Sequence, residues 1–133
     1  MECYVNYEIA KKLKEKGFSL NNEDVELIGC RFIFSDKCTI KRISTIGAYE
    51  KWYFGENIDC PTIPQVLNWL RQKQAIHIET AIREDGWFST VFVYEYYEEE
   101  NQYSIKQVHE TKDYKSYEQA SLEGIKYVLD NLI

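Results

Sequence analysis

Residues 62–132 carry the pattern that most restricts the fold: two helix-opening capping boxes with three alternating segments between them. In Thr62-Ile63-Pro64-Gln65 the Thr hydroxyl can accept from a free first-turn N–H, Gln65 can reach back, and Pro64 sits where its missing N–H is harmless. Ile63, Val66, Leu67 and Leu70 follow at helical spacing with Trp69 beside them, and Lys73-Gln74 ends the element. Residues 76–82 alternate as a half-buried strand, with Ile76, Ile78, Thr80 and Ile82 on one side and His77 on the other. Glu84-Asp85-Gly86 is a hairpin turn in which Gly supplies positive φ, and residues 87–97 form a long strand. Its two faces are Val91 and Val93 against Phe88, Phe92, Tyr94 and Tyr96, so alternation leaves open which side is covered. Glu98, Glu99 and Glu100 make a polar tip, and residues 103–109 return as a third strand. Ser116-Tyr117-Glu118-Gln119 opens the last helix, whose stripe is Leu122, Ile125, Val128, Leu129 and Leu132, with Ala120 and Gly124 small enough for a close approach to the sheet.

Ahead of this segment, Asn6 can cap a first helix that stops at Gly17, where positive φ suits the residue after the cap. Ile9, Ala10 and Leu13 make its stripe, and Lys11, Lys12, Lys14 and Lys16 complement the negative end of its dipole rather than forming a nucleic-acid patch, since Glu8 and Glu15 dilute them. Residues 26–34 and 38–43 read as a hairpin around Ser35-Asp36-Lys37, with Cys30, Phe32 and Phe34 on one face. A short strand is expected near residues 49–54, where Tyr49, Trp52, Tyr53 and Phe54 cluster either as a core edge or as a binding surface. The expected fold class is α+β in one domain, residues 1–133: an antiparallel sheet with helices on one face, its α-β-β-β-α segment preceded by an N-terminal helix and a β-hairpin.

Composition removes several function classes. At 133 residues, 44% hydrophobic and 29% charged, the chain can bury its own core; 11 Tyr, 6 Phe and 3 Trp exceed ordinary usage. No apolar run approaches the roughly 20 residues of a membrane span, and Met1-Glu2-Cys3-Tyr4 lacks the opening of a signal peptide, which makes a cytoplasmic protein the expectation. Cys3, Cys30, Cys38 and Cys60 form no CxxC pair and are read as reduced; a zinc site joining them to His77 or His109 lacks the close ligand spacing such sites show. Neither a phosphate-cradling glycine loop nor HExxH or GxSxG is present, so no cofactor or metal is expected. His77, on the outer side of a strand, is read as a solvated side chain.

The order of elements from residue 62 onward resembles the double-stranded-RNA-binding fold. That family contacts RNA through its first helix, the loop between its first two strands and a basic start to its last helix. The matching positions are residues 62–73, the turn Glu84-Asp85-Gly86 and residues 112–118; the turn is acidic, and Lys112 and Lys115 stand among Asp113 and Glu118. Residues 74–110 hold eight acids (Glu79, Glu84, Asp85, Glu95, Glu98, Glu99, Glu100, Glu110) against two bases (Arg83, Lys106), a balance of −6 equal to the net charge of the whole chain. Phosphate neutralisation supplies most non-specific nucleic-acid affinity, so the resemblance is one of topology alone and nucleic acid is not an expected partner.

A second resemblance rests on Tyr7-Glu8-Ile9-Ala10-Lys11-Lys12-Leu13-Lys14-Glu15-Lys16-Gly17-Phe18, on Pro61-Thr62-Ile63-Pro64-Gln65-Val66-Leu67-Asn68-Trp69-Leu70-Arg71 running into Ile76-His77-Ile78, and on Tyr117-Glu118-Gln119-Ala120 with Gly124. These blocks, about a third of the chain, are similar to small uncharacterised proteins of phages and prophage-like elements of gut bacteria. The resemblance implies an origin and carries no reaction or ligand with it.

The expected function is that of a non-enzymatic, protein-binding accessory module of a phage or mobile element, meeting a protein partner or a second copy of itself. Its candidate surface is Trp52, Tyr53, Tyr94, Tyr96, Glu98, Glu99 and Glu100, because Tyr and Trp anchor interfaces well. The alternatives are a small hydrolase with a Cys/His-carboxylate site, and an acidic decoy that occupies a nucleic-acid-binding protein.

Overall fold

The computed structural model describes residues 4–18, 30–34, 40–44 and 58–133. By its contacts the chain divides into two compact units, Met1–Thr62 and Ile63–Ile133.

In the first unit, α1 (Tyr7–Glu15) begins as the sequence requires: the Asn6 side chain accepts from the Ile9 N–H at 2.9 Å. It ends in a complete Schellman arrangement. Gly17 adopts φ +86, its N–H donates to the Lys14 carbonyl, and the Phe18 N–H donates to the Leu13 carbonyl. Ile9, Ala10 and Leu13 are buried, and α1 packs against β3 (Ile58–Asp59). The hairpin is β1 (Cys30–Phe34) with β2 (Ile40–Ser44), antiparallel from Cys30 opposite Ser44 to Phe34 opposite Ile40.

β3 pairs with the other edge of β1, giving the order β2-β1-β3. The sequence marks no strand at Ile58–Asp59, and the strand expected near residues 49–54 lies outside the described residues. On β1 both Ile33 and Phe34 are buried, so burial here does not alternate as the sequence reading of the hairpin supposes; Phe34 meets Tyr7 edge-on at 5.6 Å between ring centres. A strand covered on both faces loses the period-two signal.

The second unit is the α-β-β-β-α segment: α2 (Ile63–Gln74), β4 (Ile76–Arg83), β5 (Gly86–Tyr97), β6 (Gln102–Glu110) and α3 (Tyr117–Asn131). The sheet order is β4-β5-β6, antiparallel throughout, with both helices on one face: α2 packs on β4, and α3 on β4 and β5. Ser116 caps α3 by accepting from the Gln119 N–H at 3.1 Å. A single residue, Ala75, joins α2 to β4, in the left-handed region at φ +54. The pairing Ile76 to Val93, Ile78 to Val91 and Thr80 to Ser89 settles the face that the sequence leaves open. Ile76, Ile78, Ser89 and Val91 are buried under the helices, while Phe88, Phe92, Tyr94 and Tyr96 face the other way. Ile82 shares the helix side but is 64% exposed, because the helical cover stops short of the strand's end.

Two close approaches fix this packing. A Cβ on Gly124 of α3 would lie 3.1 Å from both Ile78 Cγ2 and Ser89 Cβ; on Gly86, at φ +141, it would lie 2.5 Å from the Tyr114 carbonyl oxygen, to which the Trp87 N–H donates. Beneath α3 runs a chain of hydroxyls, buried at Ser89 and Ser121 and half-buried at Thr80. Ser89 Oγ donates to the Ala120 carbonyl at 2.8 Å, so it must accept from Thr80 at 2.7 Å, and Thr80 in turn accepts from Ser121 at 2.9 Å. Ser89 and Ser121 are fully buried, yet each of the three hydroxyl protons has a defined acceptor.

Candidate functional site

The uncovered face of the second unit's sheet is where exposed aromatic side chains collect. β5 supplies Phe92, Tyr94 and Tyr96, the pairing of Tyr94 with Ile105 and of Tyr96 with Tyr103 adds two residues of β6, and β4 contributes His77 opposite Phe92. The rings make a connected set. His77 stacks on Phe92 with ring centres 6.1 Å apart, Tyr103 meets Tyr94 edge-on at 6.0 Å, and Tyr103 tilts against Tyr96 at 4.9 Å. Tyr103 is 62% and Ile105 67% exposed, which is unusual for such large apolar side chains on neighbouring positions of one face.

These residues wall a shallow cavity of about 450 Å³ lined by Arg71, His77, Glu79, Phe92, Tyr94, Tyr103 and Ile105. The Tyr94 hydroxyl donates to the Arg71 carbonyl at 2.5 Å, which ties the end of α2 to the cavity wall. Its lining is mostly apolar, with Arg71 and Glu79 offering one charge of each sign. Such a surface suits an apolar or aromatic group with polar ends.

At the end of the β5–β6 hairpin the turn Glu98-Glu99-Glu100-Asn101 is fully exposed. Asn101 takes φ +52, a conformation its short amide tolerates, and the Tyr96 hydroxyl bonds to its side chain. Tyr97, on the helix side, donates to Glu95 at 2.9 Å, and that carboxylate holds the phenol protonated above its usual range. At the opposite end of the sheet Arg83 lies 4.0 Å over the Phe88 ring and bonds Asp113 at 2.6 Å, with Glu110 at 3.5 Å. The Asp113 bond, above all, raises the guanidinium pKa further. Arg83 is thus paired with two carboxylates at that end of the sheet.

Of the residues that the sequence nominates, Tyr94 and Tyr96 stand together on the open face and Glu98, Glu99 and Glu100 form the adjoining tip. Trp52 and Tyr53 lie outside the described residues. The sequence does not nominate His77, Tyr103 or Ile105 for this surface, although alternation along β6 places Tyr103 and Ile105 on one side. His109 falls on the helix side, where it stacks on Tyr127 of α3 with ring centres 3.7 Å apart. Cys60 is 2% exposed; burial first, and then the Asp59 charge, push its thiol up to about 12, and the thiol points to the Val5 carbonyl. A thiol so held is protonated at neutral pH and is no nucleophile. Among the described residues no group of three or more His, Cys, Asp or Glu is placed to hold a metal ion, and no helix is long and apolar enough to cross a membrane. Comparison with family models, curated proteins and solved structures gives no match.

Proposed function

We propose that this chain is a non-enzymatic protein-binding module, an accessory protein of a phage or mobile element, that grips its partner with the open aromatic face of β4, β5 and β6. The observation that carries the reading is the exposure of Tyr103 and Ile105 beside Tyr94, Tyr96, Phe92 and His77 on one face of a sheet whose other face is packed under two helices. The mobile-element origin rests on the sequence blocks alone. An aromatic sheet face also suits single-stranded nucleic acid, but the acidic tip and the −6 balance of residues 74–110 oppose a phosphate backbone. The Cys/His hydrolase alternative loses Cys60 as its nucleophile, for the thiol is buried and protonated.

The test is affinity capture from bacterial lysate with the full chain, wild type against Ile105→Asp and His77→Glu, which place charge in the cavity without touching the core. The expected result is a captured protein lost by about ten-fold or more in both variants, as for a central anchor. Capture unchanged in both would overturn the reading. Loss only on neutralising Glu98, Glu99 and Glu100 would favour the acidic-decoy function instead.

A further inference from the structure

We propose that β6 is a self-pairing edge: two copies of this chain join antiparallel through residues 102–106, with Ser104 on the two-fold axis, to build one continuous six-stranded sheet. The inference does not rest on partner binding at the open face: it is argued from the strand edge and its register, although Tyr103 and Ile105 belong to both surfaces.

β6 is the outer strand of β4-β5-β6, and residues 102–107 are all exposed. An outer strand presents a row of unpaired N–H and C=O groups, which proteins normally blunt with proline, several charges or a covering helix. Here Gln102-Tyr103-Ser104-Ile105-Lys106-Gln107 contains one charge and no proline, while α2 and α3 pack over β4 and β5. A bulge limits the segment at one end: Val91 pairs with His109 but Phe92 with Gln107, so Val108 is the extra residue. The turn that closes at Asn101 limits it at the other.

Antiparallel self-pairing must match faces, so only registers centred on a residue are open to it. Centring on Lys106 sets two lysines against each other. Centring on Ser104 sets Tyr103 opposite the second copy's Ile105, twice by symmetry, and Gln102 opposite the second copy's Lys106. The two most exposed large apolar side chains of the strand then cover one another as aromatic and β-branched cross-strand pairs. Because Tyr103 already lies opposite Tyr96, and Ile105 opposite Tyr94, the open faces of the two copies merge into one aromatic surface.

Sedimentation of the full chain tests the proposal. The wild type is expected to show a concentration-dependent monomer–dimer equilibrium. Gln102→Lys, an exposed change on the helix side of the strand that leaves the aromatic face intact, sets lysine against the second copy's Lys106 and weakens the dimer roughly ten-fold. Adding Lys106→Glu turns both clashes into opposite-charge pairs and restores association to at least the wild-type level. A wild-type chain that stays monomeric at about 1 mM overturns the proposal, as does a dimer that Gln102→Lys does not weaken or that Lys106→Glu does not rescue. Partner capture by the Gln102→Lys variant stays at the wild-type level if the open-face reading holds, so the two ideas can fail separately.

Discussion

Cys60 shows how a single side chain couples this fold to solution conditions. With its thiol raised to about 12 in the folded chain and near 9 when unfolded, the unfolded state binds fewer protons across that interval. Stability therefore falls as pH rises from about 9, by up to about 1.4 kcal/mol per pH unit from this group alone, and is unaffected by it at lower pH. Urea unfolding of wild type and Cys60→Ala at about pH 8 and about pH 10.5 should show the steeper alkaline loss in the wild type. Equal losses would remove the burial argument. The cysteine count and spacing indicate a reduced thiol but not this behaviour, because its main cause is burial, which depends on packing with distant residues such as Val5, whose carbonyl the thiol faces from 55 positions away; only the lesser cause, the Asp59 charge, is adjacent in sequence.

At the scale of elements, the parts that can be read directly from sequence are those whose hydrogen bonds close within a few residues. Asn6, Gly17 and Ser116 each occupy the capping position their chemistry suits. Ala75 is the exception, a non-glycine residue in the left-handed region between α2 and β4, with an exposed Cβ. Its conformation is imposed by the Tyr94 N–H, which donates to the Ala75 carbonyl and sets where β4 must begin. Ala75→Gly removes the Cβ clash at no packing cost and is expected to stabilise the chain by about 1 kcal/mol, raising the thermal midpoint by about 3 °C. A lowered midpoint would show that the residue is not strained. β3 is illegible for the opposite reason: two residues give no period, and its partner β1 is more than twenty positions away.

For the whole molecule, the division after Thr62 leaves Ile63–Ile133 with a core of its own, made of Ile63, Val66, Leu70, Ile76, Ile78, Val91, Ile125, Val128 and Leu129. A fragment of residues 61–133 is expected to unfold in one cooperative transition by circular dichroism. A gradual, non-cooperative melt would mean that this core does not suffice. The candidate surface was half legible for a related reason. Tyr94 and Tyr96 stand out on a long strand, but which face they occupy depends on where the helices settle, and their neighbours His77, Tyr103 and Ile105 arrive only through pairing across three strands. The hydroxyl chain through Thr80, Ser89 and Ser121 draws on three separate elements and spends each proton once. Replacing one link orphans another in the dry interior. In descent this makes the trio behave as a single inherited character: related sequences should keep all three hydroxyls, or exchange them together for apolar side chains of matching volume, and seldom pass through the states between.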